Sequence, residues 1–226
     1  MYMSSLDTSN NSPGKACVFC NGAFSERKNF KQIIEDCDLL IAADGGAKHI
    51  AALGYTPQAI VGDMDSIDKE AWMVESRIEC IQYPTDKEKT DAELAVEYAL
   101  DHKCEQVLLL AATGGRLDHT LGNIALVAHY PGRVALLDDN ATLVAVDKSE
   151  KCILHGKIGT LVSLLPYGAE KLTVRTKGLT YALQDECLRS ATHGLSNSLA
   201  QEEACICVSG GILLVYILTP RDDECP

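Results

Sequence analysis

The chain has 226 residues, 46% of them hydrophobic, and a formal net charge of -12. That apolar content suffices for one large core or two small ones, and the acidic excess excludes a general basic surface for nucleic acid. No run of about 20 apolar residues could span a bilayer, and residues 1–15 lack the apolar stretch of a signal peptide, so the expectation is a cytoplasmic protein with no membrane contact and a disordered start.

Strand-like and helix-like runs alternate through the first two thirds of the chain. Ala16–Cys20 reads as a strand, and Phe30, Ile33, Ile34 and Cys37 repeat at helical spacing after Ser25. Leu39–Ala43 is a second strand, followed at once by Asp44-Gly45-Gly46-Ala47. A third, Ala59–Val61, runs into Gly62-Asp63-Met64-Asp65-Ser66, and a fourth is Ile78–Gln82. The charged loop Tyr83–Glu93 then feeds a helix, with Thr90 and Glu93 spaced as a capping box and Leu94, Ala95, Tyr98 and Ala99 on one face. Val107–Ala112 is followed by Thr113-Gly114-Gly115-Arg116-Leu117-Asp118-His119, and Arg133–Leu137 ends the series. This alternation predicts an N-terminal α/β domain, a Rossmann-like parallel sheet covered by helices, over residues 16–145.

Beyond Asp139-Asn140 the texture changes to short β-rich runs punctuated by glycine: Thr142–Val146, Lys151–His155, Thr160–Leu164, Lys171–Thr176, Ala204–Val208 and Ile212–Leu218. A small all-β sandwich domain over residues 150–220 is expected. The ten cysteines lie scattered in apolar segments without framework spacing, which argues for thiols rather than disulfides. Cys17-x-x-Cys20 has no matching pair at zinc spacing and falls within an apolar run.

In an open α/β sheet, ligands bind beyond the carboxyl ends of the strands. The residues collected there form a consistent set. In an extended segment Asp63 and Asp65 would point the same way, and two crowded carboxylates repel unless a hard cation such as Mg²⁺ lies between them. An isolated Asp-x-Asp is equally an acidic turn with a helix cap at Ser66. Each Gly-Gly turn lets backbone amides approach an anion and, taken singly, is equally a tight strand-to-helix turn. Arg116 offers a bidentate fork for phosphate, Lys87 can neutralise phosphate charge, and Asp91, opening its helix at the same sheet edge, can supply a third metal carboxylate.

Asp44-Gly-Gly-Ala47, Gly62-Asp-Met-Asp-Ser66, Lys87-Glu-Lys-Thr-Asp-Ala-Glu93, Gly114-Gly-Arg-Leu-Asp-His119, Gly178-Leu-Thr-Tyr-Ala-Leu183 and Gly194-Leu-Ser-Asn197 together resemble the thiamine pyrophosphokinase family, in order and spacing, from about residue 16 to 218. The resemblance implies an ATP-binding α/β domain, a thiamine-binding β domain, a homodimer, and Mg²⁺-dependent transfer of pyrophosphate from ATP to thiamine with release of AMP. Carried onto this chain, it implies Asp63, Asp65 and Asp91 as catalytic metal ligands. The ATP and phosphate contacts would be Asp44, Gly45, Gly46, Lys87, Thr113, Gly114, Gly115, Arg116, Asp118 and His119. Ser196 and Asn197 would contact thiamine, reaching across the dimer. Glu88 stands where the family often has Asp, and Tyr216 and Tyr181 are the candidates for an aromatic against the thiamine ring.

Two other readings compete. Asp63-x-Asp65 after an apolar strand also resembles the aspartyl-phosphate phosphatases, with Asp138-Asp139 as their late acidic pair. Against that, the motif follows the third strand rather than the first, Ile67 stands where Thr or Val is usual, and both Gly-Gly turns are left unexplained. The second alternative is a non-catalytic thiamine or nucleotide sensor, since a binding site does not establish turnover.

Overall fold

Val18, Phe19, Ile41, Ala42, Ile60 and Val61 are all withdrawn from solvent, because the strands that carry them are covered on both faces. A computed structural model describes residues 14–24, 30–65, 78–149, 151–169, 171–189 and 192–218. The strands β1 (Gly14–Phe19), β2 (Leu39–Ala43), β3 (Ala59–Gly62), β4 (Glu79–Gln82) and β5 (Cys104–Leu110) stand in the order β5-β1-β2-β3-β4. All four neighbouring pairs are parallel. Continuous apolar runs rather than alternation are what such central strands require.

Among the described residues the α-helices are α1 (Phe30–Glu35), α2 (Ala47–Ala52), α3 (Asp91–Asp101) and α4 (Leu117–His129). Thr90 caps α3, its hydroxyl accepting the Glu93 amide at 3.2 Å, and Ala92, Leu94, Ala95, Val96 and Ala99 are buried. One buried cluster joins Cys17 and Phe19 to Phe30, Ile34, Leu40, Ile50, Ile60 and Met64. Since the strands are parallel, the segments that follow β2, β3 and β5 emerge at one edge of the sheet.

Some boundaries differ from expectation. The fifth strand begins at Cys104 and ends at Leu110, because Ala111 turns to a left-handed φ of 50°. Helices α2 and α4 begin directly after the two Gly-Gly turns, as strand-to-helix turns there imply, and α2 buries only Ala47 and Ile50. Helix starts expected at Ser25 and Ser66 lie outside the described residues, as does all of the disordered start expected over residues 1–15 except its end, where Gly14 and Lys15 already belong to β1. Strand β6 (Val134–Leu137) comes after β5 in the sheet order.

The chain divides into two compact units. One holds Pro13–Leu126 and Leu136–Asp139, the other Val127–Ala135 and the chain from Asn140. The second unit contains β7 (Ala141–Val146), β8 (Cys152–His155), β9 (Leu161–Tyr167), β10 (Lys171–Lys177), β11 (Glu186–Arg189), β12 (Asn197–Ser198), β13 (Glu203–Ser209) and β14 (Ile212–Leu218). Their antiparallel pairings run β12-β9-β14-β7 and, in a separate sheet, β11-β10-β13-β8. In β10, Leu172, Val174 and Thr176 face inward and their neighbours outward, the alternation of a sheet with one solvated face. Both sheets feed one core, which contains Leu154, Val162, Leu164, Val174, Leu188, Ile206, Val215 and Ile217. The short strands β11 and β12 were not foreseen, being too polar for a strand signal. None of the nine described cysteines is in a disulfide, and no described helix is long and apolar enough to cross a membrane.

Candidate active site

Three carboxylates meet where β2 and β3 end. Asp44, Asp63 and Asp65 each contribute one oxygen to a group whose members lie within 4.8 Å of one another. Asp44 opens a short 3₁₀ turn after β2 at a left-handed φ of 44°, and Met64 sits between the other two aspartates at φ 65° with its side chain buried in the core. The convergence of Asp63 and Asp65 therefore comes from a turn at Met64 rather than from strand pleating, which corrects the extended-segment argument. Asp63 Oδ1 accepts the Asp65 amide at 3.2 Å, the local bond typical of such turns. Gly62 makes room: a Cβ there would lie 2.9 Å from Asp44 Cβ and 3.2 Å from Asp91 Cγ.

Asp91, in the first turn of α3, stands beside this group. Its Oδ1 lies 3.0 Å from Lys87 Nζ, which is also 4.0 Å from Asp63 Oδ2 and donates to the Pro84 carbonyl at 3.2 Å. Burial pushes the Asp91 carboxyl up, Lys87 pulls it down, and the Asp44 and Asp63 charges push it up again. Lys87 is thus engaged by carboxylates. Asp44 is only 7% exposed, and its Oδ1 has no hydrogen-bond partner among the described residues. A buried carboxylate oxygen left unpaired is costly. Hard oxygen donors converging around it fit Mg²⁺, which is held by few carboxylates plus substrate phosphates. Structure adds Asp44 to the expected group; Glu88 is exposed.

The Thr113–His119 segment is anchored from three sides. Gly22 and Ala23, after β1, donate to the carbonyls of Ala111 and Thr113 at 2.8 Å each. Asp138 accepts the Thr113 hydroxyl at 3.0 Å, and buried Asn123 on α4 donates to the Ala112 carbonyl at 2.7 Å. His49 on α2 lies 3.1 Å from the Gly22 carbonyl, with burial lowering its pKa. Gly114 and Gly115 take φ of 77° and 68°, and a Cβ on Gly115 would face open space. Gly45 packs against the Asn21 side chain and Gly46 against the Phe19 carbonyl, so that turn is tight and buried, whereas Gly114 and Gly115 are exposed.

Arg116 forks onto Asp118, with Nε to Oδ1 at 3.1 Å and Nη2 to Oδ2 at 2.6 Å. That guanidinium holds the Asp118 carboxyl down to about 2. Both side chains are well exposed, so the pair contributes little to stability and can open to an anion. His119 is exposed and donates its amide to Asp118 Oδ1 at 3.0 Å. Asn21, His49, Asn123 and Asp138 were missed as parts of this framework. Asn21-Gly22 follows a strand as the other motifs do and was legible by that rule; the rest depend on contacts between distant segments.

In the second unit, Ser196 is exposed at a left-handed φ of 60°, its amide 3.2 Å from Ser163 Oγ. Asn197 is buried and committed: Oδ1 accepts the Tyr181 and Ser198 amides at 3.0 and 2.8 Å, and Nδ2 donates to the Tyr181 carbonyl at 2.8 Å. Its side chain thereby fixes the backbone of Tyr181, whose own ring is 69% exposed. Tyr216, in the middle of β14, is partly buried. The loops are drawn together because Gly178 packs its Cα against the Glu203 carbonyl and Gly194 against that of Leu164, leaving no space for a Cβ.

These segments coincide with two family models. Residues 30–137 match the thiamin pyrophosphokinase catalytic domain and residues 144–213 the thiamin pyrophosphokinase vitamin B1 binding domain. The chain is 27% identical over 185 residues to thiamine pyrophosphokinase of Bacillus subtilis, spanning 78% of this chain and 86% of the relative. It is 28% identical over 196 residues to thiamine pyrophosphokinase 1 of Arabidopsis thaliana, spanning 75% and 73%. Its fold is similar to the crystal structure of the Bacillus subtilis protein, with a TM-score of 0.80 at 22% identity over 91% of this chain and 99% of that one. It is also similar to thiamin pyrophosphokinase from Candida albicans, with a TM-score of 0.78 at 17% identity over 91% and 90%. With both domain models matched in sequence order and the acidic cluster and glycine turns inside the first of them, the chain belongs to the thiamine pyrophosphokinase family of enzymes.

Proposed function

We propose that this enzyme transfers pyrophosphate from ATP to thiamine in a Mg²⁺-dependent reaction, giving thiamine diphosphate and AMP. The observation that carries this reading is the convergence of Asp44, Asp63 and Asp65 around a buried, unpartnered Asp44 oxygen. Those three would hold the metal, with Asp91 beside them. Bound Mg²⁺ would offset the charge that develops on the phosphate oxygens as thiamine's hydroxyl attacks the β-phosphorus. The Gly45-Gly46 and Gly114-Gly115 turns and Arg116 would bind and orient the triphosphate. Lys87 holds Asp91 and Asp63 in place, and Asp65 and Asp91 are the candidates to accept the hydroxyl proton. The acidic cluster suits a cationic thiazolium.

In this reading residues 16–145 are a Rossmann-like ATP-binding domain and residues 150–220 a thiamine-binding β-sandwich, in a cytoplasmic protein. Ser196 and the Tyr181 loop that Asn197 pins would face thiamine. We infer a homodimer from the same resemblance, supported by Leu117 and Leu121, which are 72% and 57% exposed one turn apart on α4.

Purified protein given Mg²⁺, ATP and thiamine is expected to release AMP and thiamine diphosphate. Phosphate release from phosphomonoesters instead would favour a phosphatase, and saturable binding without product a sensor. Subunit sharing is checked by mixing Asp65→Asn with Asn197→Ala protein, each folded and nearly inactive alone. Activity is expected to rise as heterodimers form; verified subunit exchange with no rise refutes a site shared between subunits.

A further inference from the structure

Away from the acidic cluster, the Sγ atoms of Cys17 and Cys37 stand 2.8 Å apart. That is far closer than the other thiol pair of note, Cys205 and Cys207 at 4.0 Å, and not far from the roughly 2.05 Å of a disulfide. We propose that Cys17 and Cys37 are a redox modification site, forming a reversible disulfide with a hydroperoxide as oxidant.

Backbone pairing sets the juxtaposition. Cys17 is in β1, opposite Leu40 of β2 in the parallel register. The Asp38 amide donates to the Lys15 carbonyl at 2.8 Å, the Lys15 amide donates to Asp38 Oδ2 at 2.9 Å, and the Cys37 amide closes the end of α1 on the Ile34 carbonyl at 3.1 Å. Asp38, next to Cys37, is thus tied to Lys15 in the strand that carries Cys17, and Cys37 itself to the end of α1. Sulfur–sulfur bonding requires only a small closure, within reach of side-chain rotation and slight backbone adjustment.

The two thiols have unlike surroundings. Cys17 is fully buried in the cluster of Phe19, Phe30, Ile34 and Leu40, whereas Cys37 is only partly buried at its edge. Peroxide therefore meets Cys37 first. Hydrogen bonding from Cys17, aided by the Lys15 charge, favours the Cys37 thiolate, while burial and the neighbouring Asp36 and Asp38 oppose it. The Cys37 thiolate attacks one peroxide oxygen, breaking the O–O bond; after proton uptake this leaves a Cys37 sulfenic acid and one water. Cys17 sulfur then displaces the sulfenic hydroxyl, its proton leaving with that oxygen as a second water. Both sulfurs are oxidised, the peroxide is reduced, and two thiols with one peroxide give one disulfide and two waters.

Selectivity follows from the remaining cysteines. Burial pushes Cys20 and Cys152 up to about 12, which withholds the thiolate that peroxide needs; Cys17 is raised as well, by its hydrogen bond with Cys37 and by burial, and acts only in the second step, where its sulfur already stands against Cys37. Cys205 and Cys207 are two apart on one strand, where Cα atoms stand about 6.6 Å from each other, at the outer limit for a disulfide.

The test uses the full chain, fully reduced, exposed to stoichiometric hydrogen peroxide, alkylated, digested and mapped by mass spectrometry without reductant. A peptide joining Cys17 to Cys37, lost on adding a thiol reductant, is expected as the main cross-link. In Cys17→Ser protein, Cys37 should instead be trapped as sulfenic acid by dimedone, and in Cys37→Ser protein Cys17 should remain alkylatable only after unfolding. Full alkylation of both residues at a peroxide dose that oxidises exposed Cys187, or cross-links chiefly elsewhere, overturns the proposal. Trapping at Cys37 in the wild type without any cross-link overturns it too, because Cys17 would then not resolve the sulfenic acid.

Discussion

Asp63→Asn is expected to lower turnover by roughly a hundredfold or more with the fold intact, and Asp65→Asn to do the same. Each removes one of three carboxylates whose oxygens lie within 4.8 Å. The amide is nearly isosteric, so packing around Met64 and the Asp63 to Asp65 bond have no reason to collapse. Loss should therefore concentrate in kcat and in Mg²⁺ dependence. A readout independent of catalysis accompanies it: Mg²⁺ alone should raise the melting temperature of the wild type, since a ligand at about 100 times its Kd stabilises by about 2.7 kcal/mol. That shift should shrink in either variant and in Asp44→Asn. Chelation should silence the wild type without unfolding it. Activity like the wild type's in both Asp63→Asn and Asp65→Asn at limiting Mg²⁺ would remove the metal role assigned to them.

Gly46→Ala is expected to destabilise the protein by roughly 3 kcal/mol or more, as the large end of overpacking. Gly46 has ordinary helical backbone angles, so strain in φ is not the cause. Its new Cβ would overlap the carbonyl of Phe19 at the buried end of the central strand β1, its distance to the carbonyl carbon being 2.6 Å, and backbone in that position cannot yield. Gly54→Ala is the control. There φ is +80° and nothing lies within 4 Å of the added carbon, so only the left-handed conformation is penalised, by about 1 to 2 kcal/mol. Urea midpoints should separate the two clearly. If Gly46→Ala proves no worse than Gly54→Ala, the close packing of the Asp44–Gly46 turn on β1 is refuted.

Sequence alone determined which segments are buried strands and which polar residues follow them. Ile41-Ala42-Ala43 and Ala59-Ile60-Val61 carry no polar side chain because parallel strands are covered on both faces. The aspartates and glycines that follow such runs had to emerge at one edge of a parallel sheet, which made Asp44, Asp63 and the Gly114-Gly115 turn legible as one constellation. Thr90 was readable as a cap because capping is a matter of three residues. Tertiary structure alone decided how these groups meet. Met64 turns left-handed and buries its side chain, which brings Asp65 round to Asp63 and Asp44. Lys87 goes to Asp91, Arg116 goes to Asp118, and Asn197 spends its amide on Tyr181. Asp138 and Asn123 reach back 25 and 11 residues to anchor the Thr113 loop, and Cys37 reaches back 20 to Cys17. Apolar periodicity encodes which face of an element is buried, whereas the partner of a polar side chain depends on strand register and on turns whose φ only the packed chain imposes.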